Sequence, residues 1–138
     1  MTLSVSAPLA DGLQTFLAFD FGLKRTGVAT GNRLTSTATP QATIAATAEK
    51  RLGLVALRVK EWQPDALIVG VPFYPDGAAH ENTARAQKFA RQLRAKFELP
   101  VFEVDERYST TEAISSGAKD ADAASACIIL EQFLRTLP

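Results

Sequence analysis

A chain of 138 residues with 46 % hydrophobic and 22 % charged residues supports a single globular core rather than a disordered segment. Its net charge is zero, from 15 basic and 15 acidic residues, which excludes a strongly basic, non-specific nucleic-acid binder. No apolar run reaches the roughly 18 residues of a membrane span, and the lone Cys127 excludes an intramolecular disulfide or a cysteine-rich zinc site.

The first 14 residues carry neither Lys nor Arg and no long apolar stretch. They read as a flexible leader rather than a secretory signal, with one domain following over residues 15–138. Thr15 to Asp20 is a short apolar run ending in an acid, the pattern of a buried strand. Phe21 and Gly22 form a turn. Thr26 to Thr30 reads as a second strand and Gly31-Asn32 as a hairpin signal. The Thr-rich stretch from Leu34 to Thr39 is a third strand that Pro40 ends or kinks. Leu52, Val55, Ala56, Val59 and Trp62 recur at helical spacing from about Ala48, and Pro64 stops that helix. Ala66 to Val71 is apolar throughout, as for a strand covered on both faces. A second amphipathic helix spans Asn82 to Phe97, with Ala86, Phe89, Ala90, Leu93 and Phe97 inward. Strand Val101 to Asp105 follows. Ser109-Thr-Thr-Glu112 is a capping box opening a short helix, and the last helix runs from about Asp122 to Leu137. Cys127 reads as a small buried apolar residue within it.

A hairpin meander followed by helix-connected strands makes a mixed five-stranded α/β sheet with helices on both faces, the ribonuclease H-like arrangement. Asp20 ends the first strand, Asp105 and Glu106 end the last, and Asp122 opens the final helix. Acids at neighbouring strand ends and on an abutting helix converge, and such a cluster is costly unless a cation neutralises it. The all-oxygen donor set suits Mg2+ or Mn2+, and two such ions about 4 Å apart could flank a scissile phosphate. Each acid also has a plainer role: Asp20 as a turn cap, Glu106 as a partner for Arg107 or Lys24, Asp122 as an acid favoured by a helix N-terminus. Their convergence is what points to chemistry. His80, the only histidine, reads as a solvated loop residue.

Lys24, Arg25 and Arg107 adjoin the acids in sequence and are the first candidates to grip a substrate backbone. Arg85, Lys88, Arg91 and Arg94 recur every three residues on the second helix, as a solvated face or as a phosphate-tracking ridge.

Four blocks carry a family resemblance. Ala18-Phe-Asp-Phe-Gly-Leu-Lys-Arg-Thr-Gly-Val-Ala29 resembles the opening motif of the YqgF (RuvX) nucleases. Val69-Gly-Val-Pro-Phe-Tyr-Pro-Asp-Gly77 is similar to their strand-loop motif, Asp105-Glu-Arg-Tyr-Ser-Thr-Thr-Glu-Ala113 to their third block, and Asp122-Ala-Ala-Ser-Ala, running into Ile128-Ile-Leu, to the fourth. The resemblance spans nearly all the chain after residue 15, in family order. It implies a ribonuclease H-like fold, a cytoplasmic location and metal-dependent trimming of the 5′ end of pre-16S ribosomal RNA. Resolution of Holliday junctions is the family's alternative activity. RNA is accordingly the favoured substrate and DNA the alternative, and either a monomer or a homodimer fits. The family acids map onto Asp20, Glu106 and Asp122, with Asp105 a further candidate ligand. The stretch Ser115-Ser-Gly-Ala-Lys-Asp-Ala121 is shorter than the family's usual loop, and the family lysine before the last acid is displaced by one position to Lys119.

Two other classes compete. Asp20-Phe-Gly followed by Gly27-Val-Ala also resembles the first phosphate loop of actin-like ATPases, but those enclose nucleotide between two lobes and this chain supplies one. A non-catalytic nucleic-acid-binding module gains nothing from acids that repel phosphate.

Overall fold

Most of the expected elements are present in the expected order. The computed structural model describes residues 12–74, 76–105 and 121–137. Most of the leader, Glu106, Arg107, Lys119, the capping box and the shortened loop up to residue 120 lie outside the described residues. Strands β1 (Thr15–Asp20), β2 (Thr26–Asn32) and β3 (Thr37–Ile44) precede helix α1 (Ala48–Trp62). Strand β4 (Ala66–Val71), helix α2 (Thr83–Phe97), strand β5 (Val101–Asp105) and helix α3 (Ala121–Arg135) follow.

The sheet order is β3-β2-β1-β4-β5. The meander pairs antiparallel, while β4 runs parallel to β1 and β5 parallel to β4. The side-chain period of two sorts the central strands onto two faces. Leu17, Phe19, Leu67, Val69 and Val71 pack on one face with Val55 of α1 and Ala86, Phe89, Ala90 and Leu93 of α2. Phe16, Ala18, Ala66, Ile68, Phe102 and Val104 pack on the other with Ala126, Ile129, Leu130 and Phe133 of α3. The Phe133 ring stacks on Phe102 and meets Phe16 edge-on, each at 5.2 Å between centroids. Such pairs add to the stabilisation from area burial.

The small face of β2 sets how near α3 can come. Gly27, Ala29 and Gly31 alternate onto the α3 side. A Cβ on Gly27 would stand 1.8 Å from the Asp122 carbonyl oxygen, and one on Gly31 would stand 2.5 Å from Leu130 Cδ2. Glycine is required at both positions because helix backbone and side chain occupy the space a larger residue would fill.

Several local expectations are corrected. Strand β3 continues through Pro40, which pairs with Ala29. Its place at the sheet edge lets the missing N–H face away from any neighbour. Gly31-Asn32 belongs to β2, and the turn comes later, where Asn32 Oδ1 accepts from Leu34 N–H at 2.7 Å and Ser36 takes φ 53°. In α1 the buried positions are Val55 and Arg51, whereas Trp62 is 42 % exposed. Gln63, left-handed at φ 45°, closes α1 immediately before Pro64, as expected of the proline stop. Cys127 is half-buried rather than buried, and desolvation with the neighbouring Glu131 charge raises its thiol to about 11. It is therefore a poor nucleophile at neutral pH.

The start of β1 is pinned by Asp65, whose Oδ2 accepts from the N–H groups of Gln14 and Thr15 at 2.9 and 3.0 Å. These bonds favour the charged carboxylate and lower its pKa. No helix among the described residues is long and apolar enough to cross a membrane.

Candidate active site

Asp20 closes β1 at its carboxyl end. Asp20 is the register partner of Gly27 on β2 and of Gly70 on β4. It therefore stands between two residues without side chains. By alternation it shares the α3 face with Phe16 and Ala18. The first turn of α3 comes to the same place, since the Asp122 backbone lies against Gly27. Of the expected cluster, the structure brings the Asp122 backbone against the register partner of Asp20.

Asp105 ends β5 beside Val71. Alternation assigns it to the face of Glu103, which pairs with Arg94 of α2. Phe102 and Val104 hold the α3 face. Asp105 and Asp20 thus belong to opposite faces of the sheet. Among the described residues no three His, Cys, Asp or Glu side chains gather as a metal cage. The third acid of the expected set, Glu106, is outside the described residues.

The donors that are described suit a cation. Asp122 already holds one: Arg25 Nε donates to its Oδ2 at 2.7 Å, with both side chains partly exposed. Hard carboxylate oxygens, with no cysteine or histidine beside them, match Mg2+ or Mn2+ rather than zinc.

Arg25 and Lys24 ride on the turn between β1 and β2, and that turn is fixed from below. A Cβ on Gly22 would stand 2.3 Å from the Arg25 carbonyl oxygen, so the chain folds back tightly there. Arg51, 6 % exposed, reaches up from α1 and donates through Nη2 to the carbonyls of Gly22 and Leu23 at 2.9 and 2.5 Å. Its guanidinium carbon lies 4.4 Å from the centroid of the Phe21 ring. Burial lowers the Arg51 pKa, and the carbonyl and ring contacts compensate the buried charge. Sequence reasoning missed Arg51. The available signal was a charged residue four positions before Val55, on the apolar stripe of the helix.

Other basic candidates separate by contact. Arg94 is structural, donating to the Val101 carbonyl at 2.8 Å and to Glu103 at 3.1 Å. Arg85 donates to Asn82 Oδ1 at 3.0 Å and remains exposed, as do Lys88 and Arg91. Lys24 is exposed beside Arg25. Arg107 and Lys119 lie outside the described residues. His80 is half-buried rather than freely solvated. Its Nδ1 accepts from Asn82 N–H at 3.0 Å, and its N–H donates to Thr83 Oγ1 at 2.7 Å.

Comparison with known proteins follows the same lines. A family model described as RuvX, Holliday junction resolvase, matches residues 14–136. A Polaromonas sp. protein named "Putative pre-16S rRNA nuclease" is 75 % identical over 138 residues, the whole of both chains. A protein of the same name from Albidiferax ferrireducens is 70 % identical over 129 residues, 94 % of this chain and 83 % of its own. Among solved structures, T. thermophilus RuvC in complex with a Holliday junction substrate matches with a TM-score of 0.51 at 18 % identity, over 88 % of this chain and 93 % of that one. At that identity the likeness is one of fold, the ribonuclease H-like sheet expected from the sequence.

Proposed function

The chain belongs to the RuvX family, and on that premise we propose that it is a nuclease cutting phosphodiester bonds with divalent metal ions held by Asp20, Glu106 and Asp122. The observation that carries this proposal is the seating of the Asp122 backbone on Gly27, the register partner of Asp20. Alternation along β5 sets Asp105 on the face opposite to Asp20, because Phe102 and Val104 occupy the Asp20 face, and Glu106 is taken as the third ligand from the family motif. Bound Mg2+ or Mn2+, as one ion or a pair, supplies an activated water and stabilises the leaving oxygen.

The chain's own residues do the rest. Asp20 and Asp122 fix the cation at an open strand end. Arg51 holds the turn that presents Lys24 and Arg25, and these grip the phosphates flanking the cut. Arg85, Lys88 and Arg91 form an outer contact. Arg107 and Lys119 join the inner set on sequence grounds.

The favoured substrate is the 5′ end of pre-16S ribosomal RNA, in the cytoplasm, on the strength of relatives that carry that activity in their name. A Holliday junction is the second candidate, supported by the family description. The deciding assay presents single-stranded RNA, single-stranded DNA and a four-way junction side by side with Mn2+. Metal-dependent cleavage of RNA, strongest across the precursor 5′ extension, is expected. Paired symmetric cuts in the junction would select the alternative. Cleavage surviving exhaustive EDTA treatment, or none on any substrate, overturns the proposal.

A further inference from the structure

The loop after β4 carries an aromatic pair that the metal chemistry does not use. Phe73 packs against the core on the α1–α2 side, and an isolated bridge joins it to Ala79. The next residue, Tyr74, is 48 % exposed. Its N–H donates to the Ala78 carbonyl at 2.9 Å, and its carbonyl accepts from Gly77 N–H at 2.8 Å. Gly77 takes φ 90°, which glycine alone adopts readily. The ring of His80 lies 4.9 Å from that of Tyr74, tilted by 48°. His80 is itself held through both Nδ1 and its backbone N–H, and the Thr83 hydroxyl that receives the latter also donates to the Pro72 carbonyl.

An exposed aromatic ring backed by a second, hydrogen-bonded ring offers a pre-ordered flat face that loses little entropy on contact. Its position is specific. Tyr74 stands four residues beyond Gly70, the register neighbour of Asp20, at the carboxyl end of the sheet.

We propose that Tyr74, supported by His80, is a stacking platform for one unpaired base of the substrate strand next to the scissile phosphate. Every base has a flat π face, so the platform grips without reading sequence. A base inside a duplex has both faces covered, so the platform favours single-stranded over fully paired substrate. The inference rests on the nuclease proposal and names the strand state its site takes.

The test is equilibrium binding by the full chain, with Ca2+ replacing the catalytic ion, to a single-stranded RNA carrying 2-aminopurine and to a blunt duplex of the same sequence. Wild type should quench the fluorescence of 2-aminopurine placed beside the cut. Tyr74→Ala should abolish that quenching and weaken single-strand binding roughly tenfold. Tyr74→Trp should retain both. The slope of log affinity against log salt should be unchanged in either variant, because no phosphate contact is lost. Duplex binding should be the same in all three proteins. Single-strand binding by Tyr74→Ala equal to wild type, or an equal loss on duplex, overturns the platform while leaving the nuclease proposal in place. Failure of wild type to bind either nucleic acid defeats both.

Discussion

At the scale of single residues, the sharpest feature is the contact between Arg25 and Asp122. On the proposed function both a guanidinium and a metal ion want the same carboxylate, so they compete. Arg25→Ala should therefore strengthen Mn2+ binding in the absence of nucleic acid by about two- to fivefold, the range of a partly exposed ion pair. The same variant should weaken nucleic-acid binding, because a phosphate contact is lost. A Mn2+ titration followed by electron paramagnetic resonance reads the first effect. An unchanged or weaker Mn2+ affinity would show that Arg25 does not share the ion's ligand.

Legibility at this scale follows burial. Asp20 was visible because an acid closing an apolar strand has few ordinary reasons to be there. Arg51 was not, because an arginine on an amphipathic helix usually extends its head into solvent. Only the fold shows that it turns inward beneath Phe21 to hold two carbonyls. Pro40 misled for a similar reason. A proline ends a central strand but is tolerated at an edge, and the edge position of β3 depends on a sheet order that no local pattern states.

At the scale of elements, β2 and α3 decide how near the start of α3 comes to the strand beside Asp20. The close approach rests on Gly27 and Gly31, which present backbone to the helix. Gly27→Ala forces α3 away from the sheet, and overpacking of this kind costs about 1–3 kcal/mol or more. Because the obstructing atom is the Asp122 carbonyl, the catalytic rate should fall further than the stability loss alone explains. Gly53→Ala is the matched control. That position lies mid-helix in α1 with nothing within 4 Å of the added Cβ, so the change should stabilise by about 0.5–1 kcal/mol. Thermal denaturation with single-turnover cleavage separates the two variants. Retention of full activity by Gly27→Ala would show that the seating of α3 does not position the site. The strands and helices themselves were legible from periodicity. The close approach of helix to strand was not, since a Gly-Val-Ala-Thr-Gly run reads equally well as a weak strand with no partner.

At the scale of the whole molecule, zero net charge sets the terms of binding. A neutral protein draws little from long-range attraction to phosphate, so its grip comes from a few placed groups. Lys24 and Arg25 lie at the carboxyl end of β1, with Arg85, Lys88 and Arg91 along α2 as an outer row. The α2 row lies on the sheet face opposite to Asp20 and α3, so on the proposed function it meets the substrate away from the acids. On the proposed function such a protein should bind modestly and depend on the cation to complete the site. The central claim is that Asp20 and Asp122 act as one metal-holding unit, and its most direct test is the Mn2+-dependent cleavage of single-stranded precursor RNA by wild type, Asp20→Asn and Asp122→Asn, each checked for an unchanged thermal midpoint. The account predicts that either substitution alone lowers the rate by about a hundredfold or more, and that the double variant is scarcely slower than either single one, as for groups acting together. Cleavage by Asp20→Asn at the wild-type rate, with the fold intact, would contradict it.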